Sequence, residues 1–297
     1  MDYIDYLKQT QSPVFKANGI FWRVILHKLV PASIMPIYVD ISTDTATQLL
    51  FESNANIIRW SNTPTATETP WWYLACENYE QSKLSPNTKS KIRRGIKRCH
   101  VERISSAWLA KNGYECYVNA HTRYQNSKFV YGKIKSERTF HKNLLLKSRY
   151  DSIFESWGVF NSHVLVGYIE CEVEKGKGVM TRVIKYDPAY LKDYSSYAMM
   201  DTLLAHYVND NKLPVNNGER PILHVGLENF LHKFGFTRQF CKLNLHYTHH
   251  LQFFIYCLRL VQGHMPNSKL TELLKGLLRQ DEIWRSCNKL LSSQIMQ

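Results

Sequence analysis

The chain lacks the signatures that most quickly assign a chemistry. It has no G-x-S-x-G, H-E-x-x-H or Walker A pattern, so the usual hydrolase elbow, zinc-peptidase helix and phosphate loop are not expected. None of the seven cysteines (76, 99, 116, 171, 241, 257 and 287) forms a C-x-x-C pair. Reduced, buried thiols are expected, without a disulfide framework or a zinc ribbon. No apolar run reaches membrane-spanning length; the nearest, over 251–261, is short and carries Arg259. The start, MDYIDYLKQT, has acids and no apolar run, so no secretory signal and a cytoplasmic location are expected. Glycine is scarce, at 13 residues, and charged residues make up 21%, which argues against long disorder. His246, His249 and His250 have no Cys or acid at ligand spacing, so no metal is expected.

What is present is apolar and basic. At 44% hydrophobic and 13% aromatic, 297 residues suffice for one large domain or two small ones. The net charge of +13 is uneven: residues 83–149 hold 17 Lys/Arg against 3 Asp/Glu, while the rest is nearly balanced. A localised basic segment suits a polyanionic partner, namely cofactor phosphates, a nucleic acid or an acidic surface; a solvated helix face is the plainer reading.

The local patterns divide the chain. FWRVILHKLV, MPIYVDIS and NANIIRWS read as strands, with a loop over 62–69 before the buried PWWYLACENY. Ser85 caps a basic helix with Pro86 at its first position, and Ile92, Ile96 and Cys99 form its apolar stripe. A second helix runs from Ala107 to Tyr124, broken near Gly113. FESWGVFN and HVLVGYIECEVEKGKGVMTRVIKYD read as antiparallel strands with a turn at 175–178. YSSYAMMDTLLAHYVNDN is an amphipathic helix, and Asn216-Asn217-Gly218 a turn. ILHVGL then reads as a strand, NFLHKFG as a helix stopped at Gly235, and KLNLHY as a returning strand. The tail from Leu251 is helical.

The phrase FLHKFGF resembles the F-Y-x-K-x-G-F end of the GNAT (Gcn5-related N-acetyltransferase) superfamily, with Leu231 where the family's frequent acid, Tyr, stands. The family's phosphate turn, R/Q-x-x-G-x-G/A, falls on YDPAYLKDYSSYAMMDTLL. Leu191 occupies the Arg/Gln position, and Tyr194 and Ser196 the glycine positions. KDYSSYAMMDTLL, KSKIRRGIKRCHVERI and the Trp-Gly-x-Phe…Val-Gly-Tyr phrase over 157–168 resemble FemAB-type transferases, a GNAT-like branch that commonly lacks the glycine grip. The resemblance covers about 70–250 and rests on weak phrases in the right order. It implies an α+β fold: a GNAT-like mixed sheet flanked by helices, in two GNAT-like halves with the N-terminal one incomplete, plus a C-terminal helical tail. The divisions expected are 1–124 (with the basic helix), 125–250 (the acyltransferase half) and 251–297.

The resemblance also implies transfer of an acyl or aminoacyl group to an amine. No cofactor would be tightly bound; acyl-CoA or aminoacyl-tRNA would be the co-substrate. Such a site needs a base for the ammonium and donors for the oxyanion. Tyr168, Glu170, Glu172 and Glu174 share one strand face, and Glu170 is the base candidate; a solvent-facing carboxylate row paired with Arg182 and Lys185 is the plainer reading. His224 and Glu228, on the strand expected before the family helix, are the other catalytic candidates. Tyr186, Tyr194, Ser195 and Ser196 surround the expected donor turn, and Arg93, Arg94 and Lys97 of the basic helix complete the donor-binding set. Against this stands a non-catalytic scaffold binding a nucleic acid or other polyanion through 83–149, with Phe129 and Tyr131 as stacking contacts, or one docking protein partners by its C-terminal helix.

Overall fold

The structure, a computed structural model, describes residues 2–122, 134–220, 225–264 and 268–295. His224, Phe129 and Tyr131 lie outside them. In chain order the elements begin α1 (Tyr3–Gln9), β1 (Val14–Ala17), β2 (Ile20–Ile25), β3 (Lys28–Pro31), α2 (Thr43–Ser53), β4 (Ile57–Ser61) and β5 (Trp72–Cys76). There follow α3 (Pro86–Arg98), β6 (His100–Ile104), α4 (Ser106–Asn112), α5 (Tyr114–Thr122), α6 (Glu137–Lys147), β7 (Phe154–Asn161), β8 (Val164–Glu174) and β9 (Gly178–Tyr186). The last are α7 (Ser195–Leu204), β10 (Val215–Glu219), α8 (Val225–His232), β11 (Thr237–Phe240), β12 (Leu243–Tyr247), α9 (His249–Val261) and α10 (Lys269–Ile295). Two compact units emerge, 1–73 with 219–223 and 238–297, and 74–218 with 224–237. The class is the α+β one expected, with two mixed sheets flanked by helices.

In the first unit the strands lie in the order β1-β2-β3-β4-β12, with β3 and β4 parallel and the other pairs antiparallel. Trp22, Leu29, Leu49 and Ile58 fill one core against α2. Tyr247, Ile255, Leu258 and Leu278 fill another, which seats α9 and α10. Buried Asp281 accepts from Arg259 at 2.5 Å and from Arg285 at 3.0 Å, joining the two C-terminal helices. Two sequence readings change here. FWRVILHKLV is a hairpin, not one strand, because Leu26 and His27 turn the chain at φ 49° and 62° without glycine. MPIYVDIS, expected as a strand, makes only an isolated bridge between Tyr38 and Ser61, while KLNLHY is the expected strand, β12, and pairs with β4.

In the second unit the order β5-β10-β9-β8-β7-β6 runs antiparallel from β9 to β6 and parallel at β10/β9. β8 is buried from Val166 to Val173, since helices cover both faces. Ile104, Leu109, Tyr117, Phe140 and Leu144 bring β6 and α4–α6 onto the face that carries Tyr168. Trp157 pairs with Ile169 and so points the other way. There its indole donates to Tyr207 Oη at 3.0 Å, just after α7, and Tyr207 donates to Glu155 at 2.6 Å. Parallel pairing of β10 to β9 spans Val215↔Val179 and Asn216↔Met180. Thr181 Oγ1 then donates to the Asn217 amide oxygen at 2.7 Å. Asn216-Asn217-Gly218 therefore lies in a strand, not a turn: Asn216 is buried and its amide oxygen accepts the Gly218 N–H at 2.7 Å. Helix α8 likewise takes over the end of the expected ILHVGL strand, because Glu228, Leu231 and Phe234 are buried at helical spacing.

Helix α3 begins at Pro86, with Ser85 Oγ accepting the Thr88 N–H at 3.2 Å. Its buried seam is Thr88, Ile92 and Gly95, leading into Cys99; Ile96, expected in the stripe, is 52% exposed. The seam has shifted by one residue because the neighbouring helix comes too close for a side chain. Substitution reads this out: Ile92→Ala costs about 2–5 kcal/mol, while Ile96→Ala stays within about 0.5 kcal/mol, measured by urea denaturation.

Candidate functional site

The seam of α3 meets the start of α7, within the second unit. A Cβ on Gly95 would fall 2.6 Å from the Tyr194 carbonyl oxygen and 3.1 Å from Ala198 Cβ. That approach places a helix rich in Lys and Arg directly on the turn that precedes α7. Arg94 lies over the Tyr194 ring at 4.5 Å and Lys91 over the Tyr197 ring at 5.3 Å. Arg98 donates to the Lys192 carbonyl at 3.3 Å and pairs with Asp193 at 3.4 Å. Arg93, Arg94 and Lys97 are exposed, and no carboxylate pairs with them among the described residues. Arg94 thus brings unspent positive charge to the turn itself, while Arg93 and Lys97 charge the outer faces of the same helix.

The turn itself has an unusual backbone. Tyr194 stands where the family pattern has glycine, yet it takes the left-handed conformation that glycine favours, at φ 61° and ψ 29°. A tyrosine there costs on the order of 1 kcal/mol, and packing against α3 holds it in place. It precedes α7 without capping it by a side chain. Among the described residues no acceptor takes the N–H groups of Ser195 and Ser196, the first two of the helix. Ser195 is fully buried and its hydroxyl donates to the Tyr190 carbonyl at 3.4 Å; Ser196 is half-buried. Two uncapped N–H groups at the positive end of a helix dipole, with Arg94 on the adjacent Tyr194 ring, form an anion-favouring environment.

Tyr197 joins a third helix to this place. Its ring meets Phe230 at 5.3 Å and Phe234 at 5.7 Å, both from the α8 segment. Glu228 is buried on α8 and faces His232 Nε2 at 3.3 Å, while His232 Nδ1 lies 2.8 Å from the Phe236 carbonyl. Glu228 therefore sits on a helix, not on the expected strand. An open cavity of about 510 Å³ beside this helix is lined by Lys83, Ser85, Thr88, His232, Lys233 and Phe234, among others.

Glu170 is placed differently. It is buried, not solvent-facing, and Lys147 of α6 grips it at 2.5 Å. Its strand face is that of Tyr168, which α4–α6 cover, whereas Trp157 and the α7 side lie opposite. Burial and the nearby Lys135 push the Lys185 ammonium down, against the pull of Glu170. Glu172 is likewise buried and takes a 2.6 Å bond from Arg182, which the register leaves as the extra residue of a β-bulge. The row of three carboxylates is thus a set of cross-strand, cross-layer and turn pairs. Tyr186 ends β9 with its hydroxyl buried and unpartnered, and burial pushes the phenol up. The ring fits because Gly167 opposite has no side chain; a Cβ there would sit 2.4 Å from it. Of the donor-binding residues expected from the sequence, Arg94 meets Tyr194 directly, Ser195 and Ser196 follow it, Arg93 and Lys97 lie on the α3 faces turned away from the Gly95 seam, and Glu170 is engaged elsewhere.

Thiol nucleophiles are disfavoured. All seven cysteines are free and all but Cys257 are buried; burial lifts Cys76 to about 11 and Cys116 to about 12, so little thiolate exists at neutral pH. The residues the sequence reading passed over are Gly95, Lys91, Tyr197 and His232. A signal for one existed: an isolated glycine inside a helical pattern implies a packing reason.

A single methyl group tests the contact between the helices. Alanine favours an exposed helix over glycine by about 1 kcal/mol, but here Gly95→Ala destabilises by about 1–3 kcal/mol through overpacking. Denaturant midpoints of the two proteins check the sign; stabilisation by Ala would remove the close approach.

No family model matches the sequence, and no curated protein does either. Solved structures do match. The chain is similar to the C-terminal domain of a putative lysylphosphatidylglycerol synthetase from Agrobacterium fabrum, with TM-score 0.55 and 9% identity over 81% of this chain and 85% of that one. It is similar to FemX, with TM-score 0.54 and 11% identity over 84% and 91%. It is also similar to L-PGS from Bacillus licheniformis, with TM-score 0.53 and 10% identity over 96% of each chain. At such identities the likeness is one of fold: the chain has the two-sheet α+β architecture of these proteins.

Proposed function

We propose that the second unit is a GNAT-like transferase that moves an acyl or aminoacyl group from a polyanionic donor to an amine. The observation that carries this reading is the packing of the basic helix α3 on the uncapped start of α7. A phosphate or carboxylate of the donor, whether acyl-CoA or aminoacyl-tRNA, is held by the Ser196 N–H and hydroxyl and by Arg94, with Arg93 and Lys97 on the outer faces of α3 attracting the rest of the polyanion. No glycine grip is needed, because Tyr194 already adopts the left-handed backbone and a remote helix supplies the charge. The fold shared with FemX and the two lysylphosphatidylglycerol synthetase structures supports the class.

Transfer to an amine also needs a base for the ammonium. Of the two described carboxylates, Glu228 is the one we assign. Its helix packs on Tyr197 of α7, whereas Glu170 is committed to Lys147. Ser195 braces the turn from within, its hydroxyl donating to the Tyr190 carbonyl, and Tyr186 ends the strand that leads into it. The second reading, a polyanion-binding scaffold without chemistry, is favoured by Leu231, buried where the family's acid stands.

Binding of acyl-CoA thioesters and aminoacyl-tRNA, followed by thermal shift and titration, separates the two. The triple variant R93Q/R94Q/K97Q binds the donor at least about tenfold more weakly and with a flatter salt dependence, its own melting temperature being unchanged. Glu228→Gln retains donor affinity and loses turnover by about 10²-fold or more. Tight RNA binding by a protein that transfers nothing to any amine would install the scaffold reading. Indifference of the triple variant to every donor would remove the grip itself.

A further inference from the structure

The first unit carries a second feature, independent of any transfer chemistry. Three of its elements leave the same end of the five-stranded sheet and expose apolar side chains there. Lys28, Ile57 and Tyr247 lie side by side across β3, β4 and β12. Immediately beyond them the Asn56 N–H donates to the His27 carbonyl at 3.0 Å, and the Asn56 carbonyl accepts from the Thr248 N–H at 3.0 Å. The tip of the β2–β3 hairpin, the end of α2 and the start of α9 are thus tied together through one residue.

Each element presents apolar surface. At the hairpin tip Leu26 is 86% exposed and Ile25 is exposed beside it; Leu26 is held at φ 49° in a position that glycine or asparagine would fill without strain. Phe51, in the last turn of α2, is 89% exposed. Helix α9 buries Ile255 and Leu258 inward, yet turns Phe253, Phe254, Tyr256, Leu260 and Val261 outward, with Phe253 69% and Leu260 68% exposed. A helix packed on its core by one face ordinarily shows water a polar face; this one shows aromatics and aliphatics.

The chemistry of the surroundings indicates the occupant. Within the first unit, residues 238–264 contain no Asp or Glu, but three Lys/Arg and four His. On α9 itself, Arg259 is bound to Asp281, while His249 and His250 are exposed at its start. Two carboxylates border the exposed apolar groups: Glu52, which accepts from Gln48 at 2.8 Å, and Glu282 of α10, which accepts from Gln262 at 3.4 Å past the far end of α9. A turn tip and a helix end offer separate side chains rather than a continuous patch, which suits a fluid phase that conforms to them better than a protein of fixed shape.

We propose that this end of the first unit docks on an anionic phospholipid surface, with Leu26, Phe51 and the outer face of α9 entering the interfacial layer and the acid-free start of α9, with exposed His249 and His250, facing the headgroups. Flotation with vesicles tests it on the full chain. The vesicles are phosphatidylcholine alone or mixed with about one third phosphatidylglycerol. The protein floats with the anionic vesicles, and F253S/F254S/L260S and L26S/F51S each reduce the bound fraction by about tenfold or more. All five side chains are exposed, so circular dichroism and melting temperature stay at the unsubstituted values. Absence of flotation on either vesicle, or flotation of both variants like the parent, overturns the proposal. So does a dimer in sedimentation that only the α9 variant dissolves, since the occupant would then be a second copy of the chain.

Discussion

One contact organises the second unit: the backbone of Tyr194 against Gly95. Two helices cannot approach to 2.6 Å between a carbonyl oxygen and a side-chain position unless that position is empty. Because it is empty, α3 settles on the start of α7 and carries its arginines there. The same contact presses on a tyrosine in a left-handed backbone, a conformation that the chain would leave if packing did not hold it. Charge, helix terminus and strained turn are thus consequences of one missing methyl group.

Under the proposed function, that arrangement takes the place of the glycines that the GNAT pattern has at this turn. Glycine serves two purposes there: it permits positive φ and it keeps side chains away from the anion. Tyr194 meets the first requirement directly. Its ring is drawn aside under Arg94, which meets the second and adds a cation. The cost of the strained tyrosine and of grouping like charges on α3 is borne by the burial of Ile92, Ala198 and Met199 beneath them.

Much of the fold was legible from local chemistry. Ser85-Pro86 marks the start of α3, Gly113 the break between α4 and α5, and the Gly-rich turn the β8–β9 hairpin, because caps and turns are decided by near neighbours. What escaped was decided by distant partners or by backbone states that no residue type announces. Leu26-His27 turns a hairpin without a glycine. The Asn216–Gly218 stretch is a strand because β9 pairs with it and Thr181 satisfies its amide. Ile96 fits a heptad-like stripe, yet the seam runs through Gly95. In the site, the donor turn and the basic helix could be named separately, but their contact, a hundred residues apart in sequence, belongs to tertiary structure. Glu170 was chosen from strand alternation, and the alternation is right; its partner Lys147 comes from a helix whose placement the strand pattern does not encode.

The account stands most directly on where a donor binds. Backbone amide shifts recorded while an acyl-CoA thioester or an aminoacyl-tRNA is titrated into the protein report it residue by residue. Binding at the α3–α7 contact moves the Tyr194, Ser195 and Ser196 amides most, with the α3 amides from Arg93 to Lys97 following. Saturable binding that leaves those amides unmoved and shifts another part of the chain would contradict the account.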